Sequence, residues 1–227
     1  MKKLGFALMV LAVAVLFTAA PASAANTLVV NAGAALNGTN FGLAVNVGPN
    51  VGDNNAVYVQ SSHPTDETHM EIRFRLRTTT LTSPTTGPGR TFRMLNMGDD
   101  TAAATPHKVF FLQRQPGSGA WRFVAWTYTN GGAYEFIGAF FFANHGAAIE
   151  RQIRCEWTKA TGPSNGIFRC ERTDNPGAIF FQRTDINDSN FQTDFVQAGF
   201  FDFDNFGAVG SPLGAGKVDF DEYESYR

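Results

Sequence analysis

The chain has 227 residues, including 22 phenylalanines and 23 glycines, and carries 18 basic and 20 acidic side chains. A net charge of −2 is too small, and the charges are too mixed, to favour nucleic acid as a partner. Many aromatic residues and turn-forming glycines, with few lysines and glutamates, are typical of an all-β chain.

The first residues have the pattern of a secretory signal peptide. Lys2 and Lys3 precede an apolar run from Leu4 to Phe17, and Ala22-Ser23-Ala24 is a small-residue cleavage site. We therefore predict a signal peptide over 1–24 and a single mature domain over 25–227. The run is too short for a membrane span, so we expect no transmembrane segment and a secreted protein, extracellular or periplasmic.

Strict alternation of apolar and polar residues predicts β-strands along the rest of the chain. It is clearest in Met70–Arg77, where Met, Ile, Phe and Leu alternate with Glu and Arg. Phe41–Val47, Val57–Val59 and Ile153–Trp157 repeat the pattern. Further strands are predicted at Thr91–Asn96, Lys108–Arg114, Trp121–Tyr128, Tyr134–Phe142, Ile167–Thr173, Ala178–Arg183, Asp194–Phe201 and Lys217–Glu224. Many short strands separated by Gly, Pro, Asn and Asp turns favour a sandwich.

The two cysteines fall on neighbouring predicted strands. If the segment Ala160–Gly166 is the turn of a hairpin and Trp157 faces Phe168, then Cys155 faces Cys170. Both sulfur atoms then project from the same face of the hairpin. In an exported protein this predicts a structural disulfide between Cys155 and Cys170, in preference to a redox pair or a metal site.

Several segments together resemble a known family. They are Ala35–Val45, Ala56–Gln60, Ile153–Trp157, the Asn165-Gly166 turn and Val218–Ser225. In this order they are similar to a bacterial family of secreted, concanavalin A-like lectin/glucanase domains, the LamG-like jelly rolls. The resemblance implies a two-sheet antiparallel β-sandwich of jelly-roll type, and the wider fold implies glycan binding, calcium sites or polysaccharide cleavage. The chain departs from the family pattern at Glu171–Gly177.

The last strand carries three acidic residues that are candidates for catalysis. The spacing of Asp219, Asp221 and Glu224 resembles the acidic strand of laminarinase-like hydrolases, in which carboxylates act as nucleophile and acid. The alternative is that Val218 and Phe220 face the core while the acids face solvent or a loop cation. We expect a catalytic role for these acids only if their side chains converge in a groove.

A polysaccharide lyase would instead need a Tyr and His pair beside Arg and Gln on a concave sheet. The four histidines, His63, His69, His107 and His145, are candidates by residue type alone. No pattern in the sequence joins any of them to a tyrosine.

Two sets of residues are candidates for binding sugars. Arg73, Arg75 and Arg77 lie on one face of a strand, where their guanidinium groups could bind the carboxylates of an acidic glycan or pair with neighbouring acids. Trp121, Trp126 and Tyr128 could stack on sugar rings. Because Trp121 and Trp126 are an odd number of residues apart, we expect them on opposite faces of their strand.

Oxygen-rich turns are candidates for a structural calcium ion. They are Asp53–Asn55, Asp185–Asp188 and Asp202–Asn205, with Asp202 and Asp204 preferred as ligands. Asp and Asn are also common in turns because their side chains bond to the local backbone. No cofactor is expected to be required.

The sequence thus predicts an exported, single-domain jelly roll that binds extracellular or cell-envelope polysaccharide. Two alternatives stay open: a polysaccharide-cleaving hydrolase or lyase on the same fold, and a structural or adhesive surface protein without a small ligand. The sequence does not indicate the oligomeric state.

Overall fold

The computed structural model describes residues 26–47, 56–78, 91–99, 106–114, 120–143, 150–174, 180–204 and 216–227. These residues form thirteen β-strands and one short 3-10 turn, Ala32–Ala34. The strands are β1 (Thr27–Asn31), β2 (Gly42–Val47), β3 (Val57–Glu67), β4 (His69–Thr78), β5 (Thr91–Gly98), β6 (Pro106–Arg114), β7 (Trp121–Tyr128), β8 (Tyr134–Ala143), β9 (Glu150–Thr158), β10 (Gly166–Arg172), β11 (Phe180–Ile186), β12 (Thr193–Asp204) and β13 (Gly216–Tyr226).

The strands form two antiparallel sheets that pack face to face. One sheet has seven strands in the order β1-β2-β13-β4-β9-β10-β11, and the other has six in the order β3-β12-β5-β6-β7-β8. Neighbours in each sheet are often distant in the sequence, as expected for a jelly roll rather than a simple meander. The last strand therefore lies inside the seven-stranded sheet, between β2 and β4.

The core lies between the sheets and is rich in phenylalanine. On β4, alternation places Met70, Ile72, Phe74 and Leu76 inward, all nearly inaccessible to solvent. Aromatic pairs join the two sheets, for example Phe74 with Phe123 on β7, whose ring centroids are 6.1 Å apart. Aromatic side chains bury a large area each, so a few of them fill much of the space between the sheets.

The predicted all-β, two-sheet antiparallel sandwich is confirmed, and most predicted strands match the observed ones within a few residues. Strand β1 was not predicted. The predicted signal peptide, residues 1–24, lies outside the described residues. In the part of the chain that is described, no helix is long and apolar enough to cross a membrane.

The predicted pairing of β9 and β10 is also confirmed. Cys155 lies opposite Cys170, and Trp157 lies opposite Phe168. The two cysteines form a disulfide across a sequence separation of 15 residues.

Candidate functional site

Of the three candidate acids on β13, Asp219 and Glu224 are engaged in pairs on the outer face of the seven-stranded sheet. The side chain of Asp219 is fully buried, with Arg77 Nη2 at 2.8 Å and Lys217 Nζ at 3.0 Å from its carboxylate oxygens. Glu224 is exposed and accepts a hydrogen bond of 2.5 Å from the hydroxyl of Tyr226. Neither carboxylate is directed into a described groove.

The third acid, Asp221, bonds to a turn near the start of the chain. Its Oδ2 accepts hydrogen bonds from the backbone N–H of Leu36, at 2.6 Å, and from the hydroxyl of Thr39. Its Oδ1 accepts the N–H of Glu222 at 2.8 Å. Each of the three acids thus has its own neighbours, an arrangement that suits a structural role better than a shared catalytic one.

The arginines of β4 form an ion-pair lattice on the same outer face. The pairs are Arg73 with Glu71 at 2.6 Å, Arg75 with Glu150 at 3.0 Å and with Glu222, and Arg77 with Asp219 at 2.8 Å. Burial would lower the pKa of Arg75, but its bonds to Glu222 and Glu150 raise that pKa above its ordinary value. A glycan carboxylate would have to displace these internal acids to bind here.

The predicted aromatic residues do not form one platform. Trp121 is 7% exposed and packs in the core against Phe92, with ring centroids 5.6 Å apart. Its burial argues against the binding role predicted for it. Trp126 lies on the opposite face of β7, as alternation requires, and is partly exposed. Tyr128 packs edge-on against Tyr134 at 5.0 Å.

The outer face of the six-stranded sheet carries a continuous row of side chains, which we call the cross-strand row. Its members are direct register partners on successive strands: Gln60 on β3, Gln197 on β12, Asn96 on β5, Val109 on β6, Trp126 on β7 and Phe136 on β8. Register partners project from the same face of a sheet. With strands about 4.8 Å apart, the row spans roughly 24 Å.

The row has an amide end and an aromatic end. At the amide end, Gln197 Nε2 donates to Gln60 Oε1 at 2.9 Å, and Asn96 Nδ2 donates to Gln197 Oε1 at 3.3 Å. Asn96 Oδ1 accepts no hydrogen bond from the described residues. At the aromatic end, Trp126 and Phe136 pack edge to face with centroids 5.5 Å apart, and Phe136 is 46% exposed.

A groove of about 250 Å³ lies at the aromatic end of the row. It is lined by Thr91, Gln113, Arg122, Val124, Trp126 and Phe136, and we call it the aromatic groove. Within it Arg122 Nε donates to Gln113 Oε1, and burial lowers the pKa of Arg122 from its ordinary value. Apolar ring faces beside a guanidinium and an amide are the groups that protein sites use to bind sugars.

A second cleft, of about 290 Å³, opens between the two sheets and is more apolar. Its apolar lining includes Val30, Phe41, Leu43 and Val59, and its polar lining groups are Ser61, Asp221, Glu222 and Tyr223. Asp221 thus lines this cleft, but Asp219 and Glu224 do not, so the three candidate acids do not converge in it. Desolvation of its hydroxyl group raises the pKa of Tyr223 to about 12, although the residue as a whole is 36% exposed. The two carboxylates of this cleft already accept internal hydrogen bonds, Asp221 from Leu36 and Thr39 and Glu222 from Asn37 and Arg75.

The described histidines do not lie in the aromatic groove. His69 is on the outer face of the other sheet, where its Nδ1 is 3.1 Å from the hydroxyl of Thr158. His107 is fully buried beside Lys108, and burial lowers its pKa well below the ordinary value. The side chain of His63 and the whole of His145 lie outside the described residues.

Calcium binding stays a prediction. Among the described residues, no group of three or more His, Cys, Asp or Glu side chains is arranged to hold a metal ion. The side chains of Asp202 and Asp204 lie outside the described residues. The two acids of the predicted cluster at Asp185–Asp188 are engaged in separate ion pairs. Asp185 pairs with Arg183 at 2.9 Å, and Asp188 pairs with Lys108.

Two features were not predicted from the sequence: the amides on the outer face of the six-stranded sheet, and the buried Lys108 between the sheets. The amides Gln60 and Gln197 were not singled out, because polar residues on an exposed face carry no signal of their own. Lys108 had a signal: it has the same parity as the buried Phe110 and Leu112 of its strand, so alternation directs it inward.

Comparisons with solved structures agree with the fold. No family model and no curated protein matches the chain, so the family predicted from the sequence stays a prediction. An endo-beta-1,4-glucuronan lyase from Trichoderma reesei is similar with a TM-score of 0.61 and 12% identity, over 88% of this chain and 86% of that one. An alginate lyase from Klebsiella pneumoniae is similar with a TM-score of 0.51 and 12% identity, over 82% of this chain and 81% of the lyase. A cellulose-induced protein is similar with a TM-score of 0.52 and 12% identity, over 89% of this chain and 86% of that protein. Identities this low show the jelly-roll fold alone.

Proposed function

We propose that the protein is an exported jelly-roll module that binds polysaccharide along the cross-strand row of its six-stranded sheet. The observation that carries the proposal is the row itself, which joins three amides to the partly exposed Trp126 and the exposed Phe136 in one register. Asn96 and Val109, in the middle of the row, are buried, so its accessible groups lie at the two ends. Amides hydrogen-bond sugar hydroxyls and aromatic faces pack on sugar rings, so an extended chain could use both ends of the row.

Two further facts support this proposal. The structural neighbours include proteins described as glucuronan and alginate lyases, whose names refer to polysaccharides. The disulfide between Cys155 and Cys170 agrees with an oxidising, extracytoplasmic destination. The ion-pair lattice of the other sheet is a weaker candidate surface, since its arginines already bind internal carboxylates.

The test is a binding screen of residues 25–227 against neutral and acidic polysaccharides, with calcium and with a chelator. We expect saturable binding that Trp126→Ala weakens about tenfold, the order that an aromatic contact contributes. Tyr226→Ala is the matched control, because Tyr226 is an exposed aromatic residue on the outer face of the seven-stranded sheet.

Three outcomes would contradict the proposal. If Trp126→Ala binds normally while Arg75→Gln does not, the site lies on the ion-pair lattice instead. If new sugar ends are released in the same wells, the protein is a polysaccharide-cleaving enzyme. If no polysaccharide binds, the structural or adhesive alternative gains support.

A further inference from the structure

A lysine and an aspartate are buried together between the two sheets. Lys108 is on β6 of the six-stranded sheet, and Asp188 follows β11 of the seven-stranded sheet. Both side chains are fully inaccessible to solvent, and Lys108 Nζ lies 2.9 Å from Asp188 Oδ2. Two charges removed from water in this way carry a large desolvation cost.

The Asp188 carboxyl group is held from several sides. Trp157 Nε1–H donates to Oδ2 at 2.7 Å, and the N–H of Ala160 donates to Oδ1 at 3.0 Å. A Cβ atom at Gly166 would lie 2.4 Å from Oδ1, so the glycine leaves room for the carboxyl group. The loop that carries Asp188 is itself fixed, because Asn130 N–H donates to the carbonyl of Asn187 at 2.8 Å.

A histidine faces the lysine from the other side. His107 Nε2 is 2.7 Å from the carbonyl oxygen of Gln192. A carbonyl can only accept, so Nε2 carries the proton and Nδ1 has a free lone pair. That Nδ1 lies 3.1 Å from Lys108 Nζ, within reach of an amine proton.

We propose that Lys108 and Asp188 form an intramolecular isopeptide bond between Lys108 Nζ and Asp188 Cγ. The reacting form is the neutral amine with the protonated carboxyl group, which has the same number of protons as the ion pair. Nζ attacks Cγ and gives a proton to His107 Nδ1. The imidazolium returns that proton to the departing Oδ2 hydroxyl group, the Cγ–Oδ2 bond breaks, and one water molecule leaves. No oxidant or other reactant is needed.

The surroundings favour each part of this step. Oδ1, which becomes the amide oxygen, already accepts the Ala160 N–H, so charge that develops on it is stabilised. Burial lowers the pKa of Lys108 to about 8, although the negative charge of Asp188 opposes this. The positive charges of Lys108 and Lys159 add to the burial that keeps His107 neutral. Groups held in contact react as if at very high concentration.

The bond would have a clear structural effect. It would tie β6 of one sheet to the segment after β11 of the other, whereas the Cys155–Cys170 disulfide joins two strands of the same sheet. The product is a neutral amide, which removes the cost of two buried charges. This inference is independent of the proposed function.

The test is the mass of the purified, folded protein after denaturation and reduction of the disulfide. We expect the mass to be lower by one water molecule than the sequence requires. A tryptic digest should contain one branched product that joins the peptides of Lys108 and Asp188, uncut after Lys108. Lys108→Arg, which keeps the positive charge but lacks a primary amine, should have the full mass.

The wild-type chain decides the question even if the variant fails to fold. Separate Lys108 and Asp188 peptides of unmodified mass, from protein shown to be folded, would overturn the proposal and leave a buried ion pair. The Lys217–Asp219 pair is an internal control, because its 3.0 Å contact is similar but Lys217 is partly exposed. Lys217 ends the same tryptic peptide that carries Asp188, so the control is read at its cleavage site. Trypsin should still cut after Lys217, and the peptide 218–227, which carries Asp219, should have its unmodified mass.

Discussion

Asp221 holds a tight turn near the start of the chain against the last strand. Asn37 and Gly38 have positive φ values of 50° and 82°, and the N–H of Thr39 bonds to the carbonyl of Leu36 at 3.0 Å. Asp221 accepts two further hydrogen bonds from this turn, at Leu36 N–H and at the Thr39 hydroxyl. One side chain thus joins segments that are 185 residues apart.

We expect Asp221→Ala to lower the free energy of unfolding by about 1–3 kcal/mol, because it leaves a partly buried N–H and a hydroxyl without their acceptor. Glu224→Ala should change it by less than about 0.5 kcal/mol, since Glu224 is exposed. Urea unfolding followed by tryptophan fluorescence measures both values. Equal effects of the two substitutions would argue against a structural role specific to Asp221.

For single residues, the sequence predicts which face of a strand a side chain lies on, but it does not predict which side chains it contacts. Alternation placed Arg73, Arg75 and Arg77 on one outward face, as observed. The acidic partners of Arg75, Glu150 and Glu222, come from strands that are distant in the sequence. Pairing between strands so far apart depends on the sheet order, which a single sequence does not give.

At the scale of elements, the β9–β10 hairpin was predictable because its constraints are local. Alternation on both strands and a short turn leave one register that buries Trp157 and Phe168 together. Asn165 supports the turn, since its Oδ1 accepts the N–H groups of Thr161 at 3.0 Å and Gly162 at 2.9 Å. Placing the two cysteines opposite each other then needed no long-range information.

The disulfide should stabilise the protein through its closed loop of 15 residues. We expect the double variant Cys155→Ala, Cys170→Ala to lose on the order of 3 kcal/mol of unfolding free energy, the entropy that the crosslink removes from the unfolded chain. Equilibrium unfolding in urea, with the reduced wild type as the control, measures the loss. A double variant as stable as the oxidised wild type would contradict the expectation.

The cross-strand row was harder to predict because bulges interrupt the alternation that a sequence shows. The pairing of β7 with β8 shifts between Ala125 and Trp126, and that of β5 with β6 shifts between Arg93 and Leu95. Each shift adds one residue to one strand and changes which side chains share a face. The sequence therefore indicated Trp126 as a surface candidate but not its neighbours in the row.

At the scale of the whole molecule, composition and periodicity were enough to predict a two-sheet sandwich. The polar group between the sheets was not predicted, because His107 and Lys108 of β6, Trp157 of β9 and Asp188 after β11 come from three separate segments. A sandwich can bury such groups only where every polar atom finds a partner. Their titration should therefore affect the stability of the entire fold.

His107 provides a direct test of this coupling. Burial, together with the positive charges of Lys108 and Lys159, lowers its pKa well below 6.5, while the bond to the Gln192 carbonyl opposes the shift. In the unfolded chain the histidine takes up a proton near pH 6.5, but in the folded chain it stays neutral to lower pH. Below pH 6.5 the unfolded state therefore binds more protons, and stability falls as the pH falls.

We expect the free energy of unfolding to decrease below pH 6.5 with a slope that approaches about 1.4 kcal/mol per pH unit from this one group. His107→Gln should flatten the slope between about pH 6.5 and pH 5, above the range in which most carboxylates titrate. Because burial is the main cause of the shift, the result should hold whether or not Lys108 is crosslinked. An unchanged slope in His107→Gln would show that other groups control the acid sensitivity of the sandwich.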